Sequence, residues 1–257
     1  MPDPRPRSPV RAWAAGEAVI GAACKISSPL VAEAVAAVGF DYVYVDQQHG
    51  VIANTDLIAM FQAIAGAGAA PLTRVPANTD DAIGHALDYG AMGVIVPEVG
   101  SRADAERAVA ACRYPPRGVR SHGLLRPAAM KVPSDPADPD RAACVVLVES
   151  ASGLAALDEI ASVDGVDAIM VGPQDLTLGL GLELRGDWQT APKLMDAVER
   201  IRAACERHGI AAGIGTTGGD AARRWLERGF LMVNVGNDLG HMTSALAAHL
   251  ATARGRT

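Results

Sequence analysis

Short runs of apolar, often β-branched residues alternate along this chain with longer Ala- and Leu-rich stretches of helical character, and they do so eight times. The strand-like runs fall at residues 19–26, 40–46, 71–75, 93–97, 145–148, 168–171, 211–214 and 230–235. Helical stretches follow at 29–38, from a cap at Asn54 to about 66, after a cap at Asn78 or Thr79, and from a cap at Ser101 to 113. Others are expected at about 190–208, up to 228, and at about 238–253. Parallel strands need crossover helices, so this alternation predicts a parallel sheet covered by helices. Eight units in 257 residues favour closure into a (β/α)8 TIM barrel over an open doubly wound sheet. No shift in composition divides the chain, so residues 1–257 read as a single domain. One segment breaks the rhythm: residues 114–141 carry six prolines and read as an extended loop over the barrel mouth.

Composition excludes several functions. Hydrophobic residues make up 49% of the chain and aromatics only 4%, which suits helices packed on parallel strands better than a β-sandwich. The net charge of −6, with no basic cluster, argues against nucleic acid as a partner. Cys24, Cys112, Cys144 and Cys205 are too widely spaced for a zinc knuckle and read as reduced core thiols. Residues 2–11 are basic and proline-rich without the apolar stretch of a signal peptide, and no apolar run is long enough for a bilayer. The expectation is a soluble, cytoplasmic protein.

In such a barrel the chemistry comes from strand C-termini and the loops after them. Glu149 closes the fifth run, and Asp175 follows the sixth in Gly172-Pro173-Gln174-Asp175. Two carboxylates on neighbouring strand ends suit a hard divalent cation such as Mg²⁺ or Mn²⁺, with positions left open for water and a chelating substrate. Taken singly, Glu149 could instead be salt-bridged and Asp175 could cap a turn. Arg74 closes the third run and reads as an oxyanion partner, or else as a structural ion pair with a mouth carboxylate. His49 is the one histidine at an expected strand C-terminus. Asp46, three residues earlier, could orient its ring as a proton-transfer dyad, or could cap the following turn while His49 packs passively. Gly213-x-Gly215-x-x-Gly218 matches a dinucleotide fingerprint in form, but no Rossmann unit surrounds it, and a plain tight turn is the better reading.

These residues belong to longer patterns. They include Gly39-Phe40-Asp41, Asp46-x-Gln48-His49-Gly50, Arg74-Val75-Pro76 and Leu87-Asp88-x-Gly90-Ala91-x-Gly93. Val96-Pro97, Arg113-Tyr114-Pro115-Pro116-x-Gly118-x-Arg120, Glu149-Ser150, Gly165-Val166-Asp167 and Gly172-Pro173-x-Asp175-Leu176 follow in order. Together they resemble the HpcH/HpaI aldolases, metal-dependent pyruvate aldolases related to the citrate lyase β subunit. The resemblance implies a TIM barrel whose last helix is often exchanged between subunits, in a hexamer built from dimers. It implies a divalent cation (Mg²⁺, Mn²⁺ or Co²⁺) held at Glu149 and Asp175, Arg74 at the enolate oxygen, and His49 with Asp46 in proton transfer. Gly172, Pro173, Gln174 and Asp175 would line the substrate site. The implied reaction is cleavage of a 4-hydroxy-2-oxo acid to pyruvate, or a close 2-oxo acid, and an aldehyde. Three departures stand out: Leu147 where many aldolases of the family carry Gln, Gln48 where the best known carry Glu, and Ser121-His122 in place of the usual glycine start of that loop. An oxaloacetate decarboxylase, an acyl-CoA lyase of the malyl- or citramalyl-CoA type, and a non-catalytic metabolite-binding barrel are the rivals. Lys25, near the end of the first run, is the one lysine placed for a Schiff base.

Overall fold

Parallel strands β1 (Val19–Cys24), β2 (Tyr42–Asp46), β3 (Ala70–Arg74), β4 (Gly93–Val96), β5 (Ala143–Val148), β6 (Ala168–Val171), β7 (Ala211–Gly215) and β8 (Met232–Asn237) pair in chain order. β8 returns to β1 and closes the barrel. The computed structural model describes residues 6–123, 133, 135, 137, 138, 140–184 and 191–256. All eight expected strands are present, with ends shifted by a few residues. Among the described residues, no helix is long and apolar enough to cross a membrane.

Side chains of a strand alternate between its two faces, and here that alternation sorts the core into two layers. Tyr42, Tyr44, Leu72, Ile95, Val145, Leu147, Ala168, Met170 and Met232 form one buried cluster, which is the barrel interior. The intervening Val43, Val45, Val94, Val96, Cys144, Val146, Ile169 and Val171 form a second with the surrounding helices. Strands buried on both faces explain why each run is continuously apolar. Helix α1 (Pro9–Ala14), which the sequence reading did not anticipate, adds Val10, Ala12 and Trp13 to the interior cluster. The Trp13 indole N–H donates to Leu231 O at 3.0 Å just before β8, so α1 stoppers the end where the strands begin.

The outer helices are α2 (Pro29–Ala36), α3 (Asn54–Gly66), α4 (Asp80–Asp88), α5 (Arg102–Cys112), α6 (Ala151–Ala155) and α7 (Leu157–Ala161). They continue with α8 (Pro173–Gly179), α9 (Pro192–His208), α10 (Gly219–Glu227) and α11 (Asp238–Ala253). Ser28, Thr79, Ser101, Ser150 and Asn237 cap α2, α4, α5, α6 and α11, each accepting the N–H three residues on. Such a cap stabilises a helix by about 1 kcal/mol. Asn54 differs from expectation. It is the first helical residue of α3, and its side-chain oxygen accepts from Gln47 Nε2 at 2.8 Å, while Asp56 receives the N–H of Ala53.

The described ends of the proline-rich segment, next to α5 and β5, lie where strands begin, opposite the mouth the sequence reading gave them. Its described parts are fastened there. Arg113 donates to Ala142 O and Gly165 O and pairs with Asp167, as does Arg141. Arg120 pairs with Asp88 at 2.8 Å and lies over the Tyr114 ring at 4.7 Å. Arg11 of α1 grips Asp140 through two bonds of 2.7 Å. Most of 124–139 lies outside the described residues.

Candidate active site

Following the inward parity one step beyond each interior residue leads to the site. Lys25 follows Ala23, Asp46 follows Tyr44, Arg74 follows Leu72, Glu149 follows Leu147, and Gly172 follows Met170. These strand ends surround a cavity of about 240 Å³. Leu147, Met170 and Ile95 line it from the core, and Lys25, His49, Arg74, Pro173, Gln174, Asp175, Thr216, Thr217, Asn234 and Asn237 line it above. His49, Arg74, Gly172, Pro173, Gln174 and Asp175 therefore share one cavity, while Asp46 and Glu149 do not line it and lie buried in its wall, Asp46 against Arg74 and Glu149 against Gly172.

Asp46 is fully buried. Its carboxylate accepts Arg74 Nε at 2.9 Å on one oxygen and Arg74 Nη2 at 2.6 Å on the other, a bidentate fork. Burial would push this carboxyl up, but the hydrogen bonds and charge of Arg74, with the His49 N–H and the Lys25 charge, bring it below the usual carboxylate range. The same carboxylate receives the backbone N–H groups of Gln48 at 3.2 Å and His49 at 3.1 Å. Asp46 thus holds the turn that carries His49 by its backbone, and its two strongest contacts go to Arg74 instead of the imidazole. Gly50 makes the turn tight enough: a Cβ there would stand 2.2 Å from Asp46 O. His49 itself is exposed at the cavity rim.

Glu149 is 6% exposed. One oxygen accepts the Glu98 N–H at 2.8 Å, while Oε2 is buried with no hydrogen-bond partner among the described residues. Glu98 directs that N–H inward from a left-handed backbone (φ 58°), a conformation that costs a non-glycine residue on the order of 1 kcal/mol. Burial first, and then the negative charges of Asp175 and Glu98, push the Glu149 carboxyl up to about 7. Gly172 leaves room for the orphaned oxygen, because a Cβ there would lie 2.6 Å from Oε2. Asp175 is the third residue of α8, inside the helix instead of capping it. A buried anionic oxygen without a donor, beside a second carboxylate, fits a cation of the hard divalent kind. Among the described residues no group of three or more His, Cys, Asp or Glu side chains could by itself hold a metal ion.

Most of the chain matches known proteins in the same sense. The pattern that describes the HpcH/HpaI aldolase/citrate lyase family covers residues 24–245. The chain belongs to that family. A 5-keto-4-deoxy-D-glucarate aldolase from Salmonella paratyphi C is 35% identical over 232 residues, covering 89% of this chain and 90% of the relative. A crystal structure of an HpcH/HpaI aldolase/citrate lyase family protein from Burkholderia cenocepacia superposes with a TM-score of 0.83 at 31% identity, covering 93% of this chain and 95% of the other. The citrate synthase SbnG superposes with a TM-score of 0.84 at 30% identity, over 96% of this chain and 97% of its own. The chain is accordingly a lyase of the HpcH/HpaI aldolase type.

Some of the site was not visible in the sequence. Glu98 carries no signature of its left-handed backbone, and its role is played by its N–H. Thr216 and Thr217 lie inside the glycine-rich run, whose first half ends β7 and whose second half turns into α10: Thr216 Oγ1 donates to Asn234 O at 2.8 Å and to Gly218 O at 3.3 Å. Asp238, by contrast, stands among the polar residues that the sequence does place at the end of the eighth run; at the start of α11 it accepts the N–H groups of Lys25 at 2.9 Å and Ile26 at 3.1 Å.

Proposed function

We propose that this protein is a divalent-cation-dependent aldolase that cleaves 4-hydroxy-2-oxo acids to pyruvate, or a close 2-oxo acid, and an aldehyde, and runs the reverse addition. The observation that carries this reading is the partnerless buried oxygen of Glu149 beside Asp175, in the same mouth as Arg74 and His49. The 35%-identical relative is an aldolase of a 5-keto-4-deoxy sugar acid, which agrees with it.

Glu149 and Asp175 would hold the cation, Mg²⁺, Mn²⁺ or Co²⁺. Bound there, it supplies Lewis acidity toward a 2-oxo acid. Asp46 engages Nε and one Nη of Arg74, which fixes the guanidinium plane and leaves its other N–H groups for the cavity. Arg74 would stabilise negative charge as it develops on the 2-oxo oxygen. His49, at the rim, would accept the proton of the 4-hydroxyl as the C3–C4 bond breaks. That bond's electron pair passes toward C2 and its oxygen, C4 leaves as the aldehyde, and return of a proton to C3 completes the methyl group of pyruvate. Release of pyruvate from a 4-hydroxy-2-oxo acid, followed with and without EDTA, tests the assignment. Undiminished release after rigorous chelation, or borohydride trapping of pyruvate on Lys25, contradicts it.

Two binding results follow from the geometry of Glu149. Glu149→Gln keeps the acceptor for the Glu98 N–H but removes the anionic oxygen, so Mn²⁺ affinity by calorimetry should fall by about 100-fold or more with the fold intact. Unaltered Mn²⁺ binding would remove Glu149 from the site. A proton also competes with the cation, since the folded carboxyl holds it up to about pH 7 while the unfolded one releases it near 4.5. Cation-free protein should therefore lose stability as pH rises between those values, and Mn²⁺ should bind about tenfold more weakly near pH 6 than near pH 8. A flat Mn²⁺ affinity across that range would contradict the assignment.

We also propose that the protein is a homo-oligomer that buries α11, by exchange or by packing. This 16-residue helix has no buried side chain, yet Leu239, Met242, Leu246 and Leu250 recur at helical spacing and are about half exposed. An apolar groove of about 440 Å³, lined by Val31, Val35, Val38 and Phe40, adjoins its first turns. On a monomer, Leu246→Arg with Leu250→Arg should be nearly neutral, within about 0.5 kcal/mol each. In the oligomer the pair should lower the mass measured by light scattering toward that of one chain. A wild-type protein already monomeric at micromolar concentration contradicts the proposal.

A further inference from the structure

The cavity floor is one layer of the barrel: Tyr44, Ile95, Met170 and Asn234, an inward side chain from each even-numbered strand. Ile95 and Met170 make half of it apolar. Tyr44 and Asn234, on the two strands that flank β1, make the other half polar but uncharged, since burial pushes the Tyr44 phenol up to about 12. Asn234 is 5% exposed, and its carboxamide is oriented. Nδ2 donates to Gly236 O at 3.1 Å, which leaves Oδ1 as an acceptor, buried and with no hydrogen-bond partner among the described residues. The Asn234 carbonyl receives the N–H and the Oγ1 hydroxyl of Thr216, both at 2.8 Å, so the residue itself is held in place.

The neighbours of Asn234 leave room for a ligand atom. Gly215 pairs with it in the β7–β8 register, and a Cβ at Gly215 would find no atom nearer than 3.9 Å. On the other side β1 contributes the small Ala23 to the cavity wall. Beneath, the Tyr42 ring fills the space over Gly21, where a Cβ would lie 2.4 Å from it, and this closes the recess. Asn234 lies three residues inside the end of β8, whereas His49 stands at the rim. With C4 of the substrate at His49 and the 2-oxo acid at Glu149 and Asp175, a substituent that reaches down to this layer belongs to C3. A carboxamide oxygen without a donor calls for an O–H; it repels a carboxylate and gains nothing from a bare methylene.

We propose that Asn234 is a specificity-determining residue that accepts a hydrogen bond from a hydroxyl on C3 of the substrate, so that the 2-oxo acid half is a 3-hydroxy-2-oxo acid, 3-hydroxypyruvate at its simplest. This rests on the aldolase reading above and adds the substituent that the cavity floor selects. The bonds that break and form are unchanged. The C3–C4 bond cleaves, C3 keeps its hydroxyl and regains one proton, and the product ends in a hydroxymethyl group where pyruvate ends in a methyl. Pyruvate still enters the site but lacks this contact. If Asn234 only braced β8 through Gly236, its loss would affect both 2-oxo acids alike.

Calorimetry on the full chain with saturating Mn²⁺, titrated with 3-hydroxypyruvate and with pyruvate, separates these roles. Wild-type protein should bind 3-hydroxypyruvate about tenfold tighter. Asn234→Leu keeps the size of the side chain without its acceptor and should bring that ratio close to one. Gly215→Val leaves the carboxamide in place and fills the space beside it, so it should bring the ratio down as well, and it decides the matter if Asn234→Leu does not fold. No preference in wild type, a wild-type ratio retained by either folded variant, or an equal loss for both ligands overturns the contact while leaving the aldolase reading standing. Failure of wild type to bind either 2-oxo acid overturns that reading and the contact with it.

Discussion

Arg74→Lys should lower kcat by about 10²- to 10³-fold, although the positive charge is kept. The reason is the shape of the group. Arg74 engages both Asp46 oxygens, at 2.9 and 2.6 Å, and still has N–H groups to direct at the cavity. A lysine ammonium at that position can satisfy one oxygen of the buried carboxylate or meet the substrate, but has no planar fork with which to do both. The effect should fall on kcat more than on KM, because the contact strengthens as charge develops on the oxo oxygen. Some loss of stability is expected as well, since Asp46 is fully buried and its partner is weakened. Thermal unfolding should be measured beside turnover to separate the two. A folded Arg74→Lys protein with near-normal kcat would remove Arg74 from the chemistry.

Asp167→Ala should cost about 3–5 kcal/mol of stability, the largest structural effect expected from one substitution here. Asp167 sits where strands begin, on the face opposite the cavity, and is 8% exposed. One of its oxygens receives the Cys144 N–H at 2.8 Å and Arg113 at 3.4 Å, and the other receives Arg141. Truncation would leave the buried Arg113 guanidinium and a strand N–H without this acceptor. For a chain of this length, each kcal/mol shifts Tm by about 2–4 °C, so a fall on the order of 10 °C is expected. Turnover per folded molecule should be unchanged, because no residue of the clamp lines the cavity. A Tm within about 2 °C of wild type would contradict the assignment of this cluster as a structural clamp.

The contrast between Arg74 and Asp167 shows what could be read from the sequence. Eight continuously apolar runs alternating with helical stretches favoured the barrel, because parallel strands buried on both faces need crossover helices to cover them. Asp46, Arg74 and Glu149 close or directly follow three of these runs, so those residues were legible once the strand ends were found. The family-like patterns did not reveal which end of the barrel each one serves. Arg113 to Arg120, Asp88 and Asp167 meet where strands begin, while Asp46 to Gly50, Arg74, Glu149 and Gly172 to Asp175 gather where they end. A run of prolines suggests a loop, but only the chain direction at α5 and β5 shows on which face its described ends lie. The link between Asp46 and His49 was hidden for a different reason. A three-residue spacing is compatible with a ring contact or a backbone contact, and the Arg74 fork takes the stronger share of the carboxylate. Glu98 was illegible because its contribution comes from a backbone angle that its side chain does not encode.

Exchange of the methyl protons of pyruvate into deuterated water, followed by proton NMR, tests the central claim without knowledge of the aldehyde partner. Wild-type protein with Mg²⁺ or Mn²⁺ should exchange them, and EDTA should stop the exchange until the cation is returned. Glu149→Gln and Arg74→Lys should exchange far more slowly under the same conditions. Exchange at the wild-type rate in chelated protein, or in folded Glu149→Gln, would contradict an account in which these strand ends activate a 2-oxo acid through a bound cation.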